Sequence, residues 1–210
     1  SYALWGLSQE ALSKTMFPLG SMSKSEVRDI AQSFGLRTAD KEESFEICFV
    51  ADNKYERFLK DRVPELESKV SSGDIKMGDD IVGKHRGYPF YTIGQRRGIG
   101  SFGRPIYVTG IDKETNTVHV GPPDQLMRHG LLARQVNMVG YSSISDGMTL
   151  EAKVRYKDDP ALATIYSDEG GGIRVEFLHA KRAITPGQSV VLYDDDDLVC
   201  GGIIDKVISL

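Results

Sequence analysis

From Leu132 to Ile208 the chain is divided into short, β-prone apolar runs separated by turn residues, and this spacing restricts the fold more than any other feature. The runs are Leu132–Val139, Thr149–Tyr156, Ala161–Tyr166, Ile173–Phe177, Ser189–Tyr193 and Leu198–Ile208. Strands at such intervals predict an antiparallel barrel or sandwich. Upstream, Ile106–Ile111 and Thr117–Val120, joined by Lys113-Glu-Thr-Asn116, read as a hairpin. The acids Asp194 to Asp197 project in different directions, which suits a polar hairpin turn better than a metal site. Cys200, inside Leu198–Ile204, reads as a small core side chain.

The first third has a different texture. Ser23-Lys-Ser-Glu26 is a capping box, and Val27, Ile30, Ala31 and Phe34 follow at helical spacing until Gly35 stops the helix. Ser8 can cap a short helix carrying Ala11 and Leu12. Phe45–Val50 is a β-prone run around Cys48, and a further helix is predicted over Tyr55–Arg62, ended by Pro64. From Lys69 glycines punctuate short β-prone pieces, which predicts a small domain with large loops.

Within the 210 residues, 40% are hydrophobic and 27% charged, a composition that folds rather than stays disordered. No apolar run is long enough to span a membrane. The net charge of −4 argues against a wholly basic nucleic-acid coat, so any binding to nucleic acid has to come from a local patch. Two cysteines without a Cys-x-x-Cys pattern suit a reducing cytoplasm, and four scattered histidines offer no zinc pattern. The chain opens at Ser1 with neither Met nor a leader pattern and reads as cut from something longer.

One local patch does reverse the sign. Lys84 to Ile111 contains Lys84, Arg86, Arg96, Arg97 and Arg104 with no Asp or Glu, interleaved with Tyr88, Phe90, Tyr91, Phe102 and Tyr107. Cations pair with phosphates while aromatic faces stack on unpaired bases, which points to RNA; a solvated basic face beside a small aromatic core is the plainer reading. Gly98-Ile-Gly-Ser-Phe-Gly103 fits a dinucleotide fingerprint in letters only, since it follows two arginines instead of a strand and opens no helix. Alternation places Lys153, Arg155 and Lys157 on one strand face, a row able to grip a phosphate backbone. Cys48 is either an inert buried thiol or, at the meeting of a strand and a loop, a nucleophile or sulfur carrier.

Gly35-Leu-Arg-Thr-Ala39 leading to Ser44-Phe-Glu-Ile-Cys-Phe-Val50, then Thr92-Ile-Gly-Gln-Arg-Arg-Gly98, then Thr185-Pro-Gly-Gln-Ser189, in this order and spacing, closely resemble the tRNA-specific 2-thiouridylase family. The resemblance covers essentially the whole chain. It implies an enzyme that replaces O2 of the wobble uridine (U34) of tRNA by sulfur, using ATP to activate the oxygen and a cysteine persulfide to deliver sulfur. By that matching Cys48 is the persulfide carrier, left in a disulfide with a first cysteine that this chain lacks. Arg155, Tyr156 and Gln188 take the places of family tRNA contacts, and Gln95, Arg96 and Arg97 lie in a stretch that helps hold the anticodon stem. Where the family often has Asp-Ser-Thr-Gly, this chain has the bulkier, more acidic Glu43-Ser-Phe-Glu46, and it contains no pyrophosphate loop.

The expected architecture is therefore α+β and multidomain. Residues 1–63 form the helical tail of an α/β nucleotide-binding catalytic domain with Cys48, 64–118 a small central α/β tRNA-binding domain, and 119–210 an antiparallel β-barrel. The chain is expected to be the C-terminal portion of a cytoplasmic, monomeric parent enzyme, inactive alone, binding no cofactor or metal itself. ATP, with Mg, would be bound by the missing half. Its partners are tRNA and a persulfide donor, a cysteine desulfurase or sulfur-relay protein, with no membrane. The alternative is a non-catalytic tRNA-binding module in which Cys48 is merely packed; a tRNA methyltransferase is disfavoured because no methyl-donor-binding βαβ unit is legible.

Overall fold

The structure is a computed structural model that describes residues 2–41, 55–63, 65–66, 70 and 72–208. Two compact units divide it: residues 10–66, and a larger one made of residues 1–9 with 67–210.

The described residues of the smaller unit are mainly helical. Helix α1 spans Gln9–Ser13, α2 Lys24–Ser33 and α3 Tyr55–Arg62. The predicted capping box starts α2: Ser23 Oγ accepts from the Glu26 amide at 3.3 Å, and the Glu26 carboxylate accepts from the Ser23 amide at 2.7 Å. This hydrogen bonding holds the Glu26 carboxyl below its ordinary range. At the other end Gly35 takes φ +63°, so its amide reaches the Gln32 carbonyl and the Leu36 amide reaches that of Ala31, closing a Schellman motif. The apolar stripe of α2 is nevertheless not buried: Val27 and Ala31 are half-covered, and Phe34 is 76% exposed.

In the larger unit a four-stranded mixed sheet has the order β2-β1-β4-β3. Strand β1 (Gly73–Met77) turns through Gly78 into β2 (Asp80–His85), and β3 (Tyr107–Asp112) pairs antiparallel with β4 (Thr117–Gly121). That second pair is the predicted hairpin. Asp112 Oδ1 accepts from the amides of Glu114 and Thr115, which fixes its turn. Strand β1 lies parallel to β4 and joins the two hairpins. Ile75, Ile106, Val108, Val118 and Val120 fill the core, and Tyr91 and Ile99 reach into it from the long connection between β2 and β3.

Six strands close the barrel in the order β10-β5-β8-β7-β6-β9, all pairs antiparallel. They are β5 (Met127–Met138), β6 (Met148–Lys153), β7 (Ala161–Asp168), β8 (Gly172–Arg182), β9 (Ser189–Asp194) and β10 (Asp197–Ile208). Alternate residues point inward: Leu150 and Ala152, Ala163 and Ile165, Ile173, Val175 and Phe177, Val190 and Leu192. Closure removes the sheet edges, which lets the run of strands from Met127 to Ile208 hold together as one body. The architecture is thus the expected combination of helical segment, small α/β domain and antiparallel barrel.

Residues 2–9 lie along the barrel as a strap. Asn137 Nδ2 donates to the carbonyls of Trp5 (2.6 Å) and Leu7 (2.9 Å), Gln9 Nε2 to that of Val139 (2.6 Å), and Tyr2 Oη to that of Ser189 (2.8 Å). Trp5 rests on Gly201, where an added Cβ would come within 2.5 Å of the indole.

Candidate functional site

Arg155 organises the joint between the small sheet and the barrel. The expected row of Lys153, Arg155 and Lys157 on one strand face does not form, because β6 ends at Lys153 and the chain bends through the next residues. The bend turns Arg155 inward, where Nη2 faces the carbonyls of Ile93 (3.2 Å) and Ala183 (2.7 Å) and the Thr185 hydroxyl (3.1 Å). Its Nε is buried without a hydrogen-bond partner among the described residues. Gly94, at φ +88°, permits the approach: a Cβ there would lie 3.1 Å from the Ala183 methyl group.

The loop that carries Gln95, Arg96 and Arg97 is stapled from inside. Gln95 Oε1 accepts from the Thr92 amide at 3.1 Å, and Gln95 Nε2 donates to the Arg97 carbonyl at 2.8 Å. The backbone of Gly94 and Gln95 pairs with Val108, and the Tyr91 hydroxyl donates to the Gly98 carbonyl at 3.1 Å. With the loop so held, Arg96 and Arg97 stand exposed, and among the described residues neither guanidinium has a hydrogen-bond or ion-pair partner. Arg96 and Arg104 border a cavity of about 230 Å³ over Gly100 to Ile106. Gly98, Gly100 and Gly103 all have positive φ, and the segment neither follows a strand nor opens a helix, as its sequence context predicts.

Gln188 sits on the barrel side of a larger cavity, about 420 Å³, whose other wall comes from the small domain. Tyr88, Ile93 and Ile111 supply apolar surface, while Lys113, Thr185 and Gln188 supply polar ends. The side chains of Tyr88, Lys113 and Gln188 have no hydrogen-bond or ionic partner among the described residues. Arg155 bonds to Ile93 and Thr185, one residue from each wall.

Tyr156 is 69% exposed and belongs to a different cavity, about 280 Å³, shared with Tyr2, Tyr193, Glu151 and Lys153. Its ring meets that of Tyr2 edge to face at 6.3 Å, and burial pushes the Tyr2 phenol up from its ordinary pKa. The structure therefore brings Gln188 and Arg155 to one joint, places Arg96 at a second cavity and Tyr156 at a third, and leaves Arg97 exposed. Cys48 lies outside the described residues. Cys200 is fully buried in β10, where burial pushes its thiol up to about 12.

No group of three His, Cys, Asp or Glu side chains among the described residues is placed to hold a metal. The described residues do not fit ATP either, since their glycine-rich segment lacks the strand before and the helix after that cradle a triphosphate. No described helix is long and apolar enough to cross a membrane. Sequence reasoning missed Lys113 and the lining role of Tyr88, because the cavity is assembled from segments far apart in the chain; the basic, aromatic stretch held the only local signal.

Three family models cover these parts, and two of the three are described as parts of tRNA-modifying proteins. Residues 1–52 match a tRNA methyl transferase HUP domain, 56–122 a tRNA methyl transferase PRC-barrel domain, and 128–204 an aminomethyltransferase beta-barrel domain. Over nearly its whole length the chain is homologous to MnmA-type tRNA-specific 2-thiouridylases. It is 50% identical to the one from Salinibacter ruber over 210 residues, 99% of this chain and 55% of the relative. It is 47% identical to that of Chlorobium chlorochromatii over 98% of this chain and 58% of the relative, and 44% identical to one from Clostridium botulinum with the same coverage. The chain thus spans little more than half the length of these curated relatives.

Proposed function

We propose that the chain is the C-terminal portion of a tRNA-uridine 2-sulfurtransferase, which replaces O2 of the wobble uridine by sulfur. Identity of 44–50% along nearly the full chain with proteins named tRNA-specific 2-thiouridylases carries this reading. ATP supplies activation of the uridine oxygen from the part of the parent that precedes this chain. Residues 1–63 complete the catalytic domain, 64–118 form the central tRNA-binding domain and 119–210 the barrel, in a cytoplasmic monomer.

In this reading a persulfide on Cys48 is the sulfur source. Its terminal sulfur attacks C2 of the activated uridine and the activated oxygen leaves, which joins the base to Cys48 through two sulfurs. A cysteine elsewhere in the parent then attacks the Cys48 sulfur, freeing the thiouridine and forming a disulfide that a thiol reductant reopens. Arg96, Arg97, Tyr156 and Gln188 offer free ends to tRNA. Gln95 and Arg155 stand behind them, holding the loop and the joint.

The deciding experiment is the intact mass of the full-length parent after incubation with cysteine and a cysteine desulfurase. A sulfur adduct that maps to Cys48 and is lost in Cys48→Ser supports the reading. A protein that carries no adduct but keeps its tRNA affinity is instead the binding module, and methyl label appearing in tRNA from S-adenosylmethionine overturns sulfur transfer in favour of the group named in the family descriptions.

A further inference from the structure

We propose that the cavity between the small sheet and the barrel is a seat for one unpaired RNA nucleobase, read at its edge by Gln188 and held open by Arg155. This rests on the tRNA reading above.

Four observations carry it. The cavity is about 420 Å³, within the range of sites that take a small organic group, and its surface is mainly apolar with a few convergent polar ends. Those ends have the right chemistry: the Gln188 amide offers one donor and one acceptor to a base edge, the Tyr88 ring offers a face for stacking, and Lys113 offers a cation for the adjoining phosphate. None of the three side chains has a hydrogen-bond or ionic partner among the described residues, so a ligand can engage them without displacing such a bond. The segment from Lys84 to Ile111, which supplies Tyr88, Ile93 and Ile111 to the cavity wall, carries five cations and no carboxylate; Lys84 is paired with Asp74, but Arg96 and Arg97 stand exposed, which favours a polyanion over an acidic or neutral small molecule.

A duplex does not fit this description. Stacked, paired bases present neither a free face to Tyr88 nor a free edge to Gln188, so the seat selects a loop or a bulge. Arg155 acts as a positioning residue: by holding the Ile93 carbonyl and the Thr185 hydroxyl at once, it sets the separation of the two walls. It does so from behind the cavity, without a charge presented to phosphate.

The test titrates this 210-residue chain with a hexaribonucleotide carrying a central 2-aminopurine, single-stranded and annealed to its complement, with unfractionated tRNA as a second probe. The single strand is expected to bind with a change in probe fluorescence, and the duplex at least about tenfold more weakly. Tyr88→Ala and Gln188→Ala should each weaken single-strand binding about fivefold or more, the lower end for loss of one stacked base. Arg155→Lys should weaken it while leaving the slope of log affinity against log salt unchanged. If Tyr88→Ala fails to fold, Gln188→Ala and Lys113→Ala, at partly or fully exposed positions, decide. Binding of tRNA with no preference for the single strand, or folded variants that bind like the wild type, overturns the seat and leaves the tRNA reading standing. Failure to bind any RNA removes both.

Discussion

Arg155 and Ile93 stand 62 positions apart in the chain, yet the guanidinium of one donates to the carbonyl of the other at 3.2 Å. The same nitrogen reaches Ala183 and Thr185, so one planar side chain ties a small-domain loop to two barrel residues. Arg155→Ala should lower stability by about 2 kcal/mol, as expected when a charged donor is removed from buried carbonyls. Urea denaturation measures it, and an unchanged midpoint would show that the joint does not depend on this residue.

Arg96 and Arg97 predict a different signature. Their guanidinium groups are exposed and without an ionic partner among the described residues, so each Ala substitution should reduce the slope of log affinity for tRNA against log salt by about 1. Filter binding over a range of salt concentrations reads this directly. Equal slopes in wild type and variants would remove both arginines from the interface.

Gly201→Ala should displace the strap. The added methyl group would lie 2.5 Å from the Trp5 ring, and overpacking of this kind destabilises by about 1–3 kcal/mol. Trp5 is the single tryptophan of the chain, so its emission is expected to shift to the red as the indole meets water. Unchanged emission would mean that the strap accommodates the methyl group.

Gly73→Ala should damage the small sheet. A Cβ at Gly73 would meet the Asn116 carbonyl at 2.0 Å and the His85 ring at 2.5 Å, while that buried ring bridges the Asn116 carbonyl and the Gly87 amide. Loss of amide-exchange protection in β1 and β4 with the barrel amides still protected is the expected result.

Cys200 gives a pH prediction. Its thiol is held protonated to about pH 12 in the folded chain against 9.0 as the unperturbed value. The unfolded state therefore loses this proton first, and between pH 9 and 12 folding stability falls with rising pH by about 1.4 kcal/mol per unit from this group alone. Comparing denaturation midpoints of wild type and Cys200→Ala across pH 8 to 10.5 tests it: the wild type should show the steeper decline. Alkylation mapped to Cys200 should require denaturant at pH 8.

Local chemistry announced much of this fold. The Ser23–Glu26 box, Gly35 and the Lys113–Asn116 turn act through neighbours in the chain, and inward alternation marks Leu150, Ala152, Val190 and Leu192. What alternation could not show was that β6 stops at Lys153, because the bend is stabilised by partners near residues 93 and 184 that no local pattern reveals. The stripe of α2 misleads in the other direction, with good helical spacing but little burial in this chain. Gln188 and the Gln95–Arg97 turn were legible through a resemblance, whereas Tyr88 and Lys113 needed the two walls to be brought together.

The strap has a topological consequence. Because residues 1–9 and 67–210 belong to one compact unit, the intervening residues 10–66 are tethered at both of their ends. A single proteolytic cut inside that segment opens a loop without releasing either end, and the closure entropy of such a loop grows only slowly with its length. The nicked protein should migrate as two bands under denaturing conditions and as one particle in native buffer.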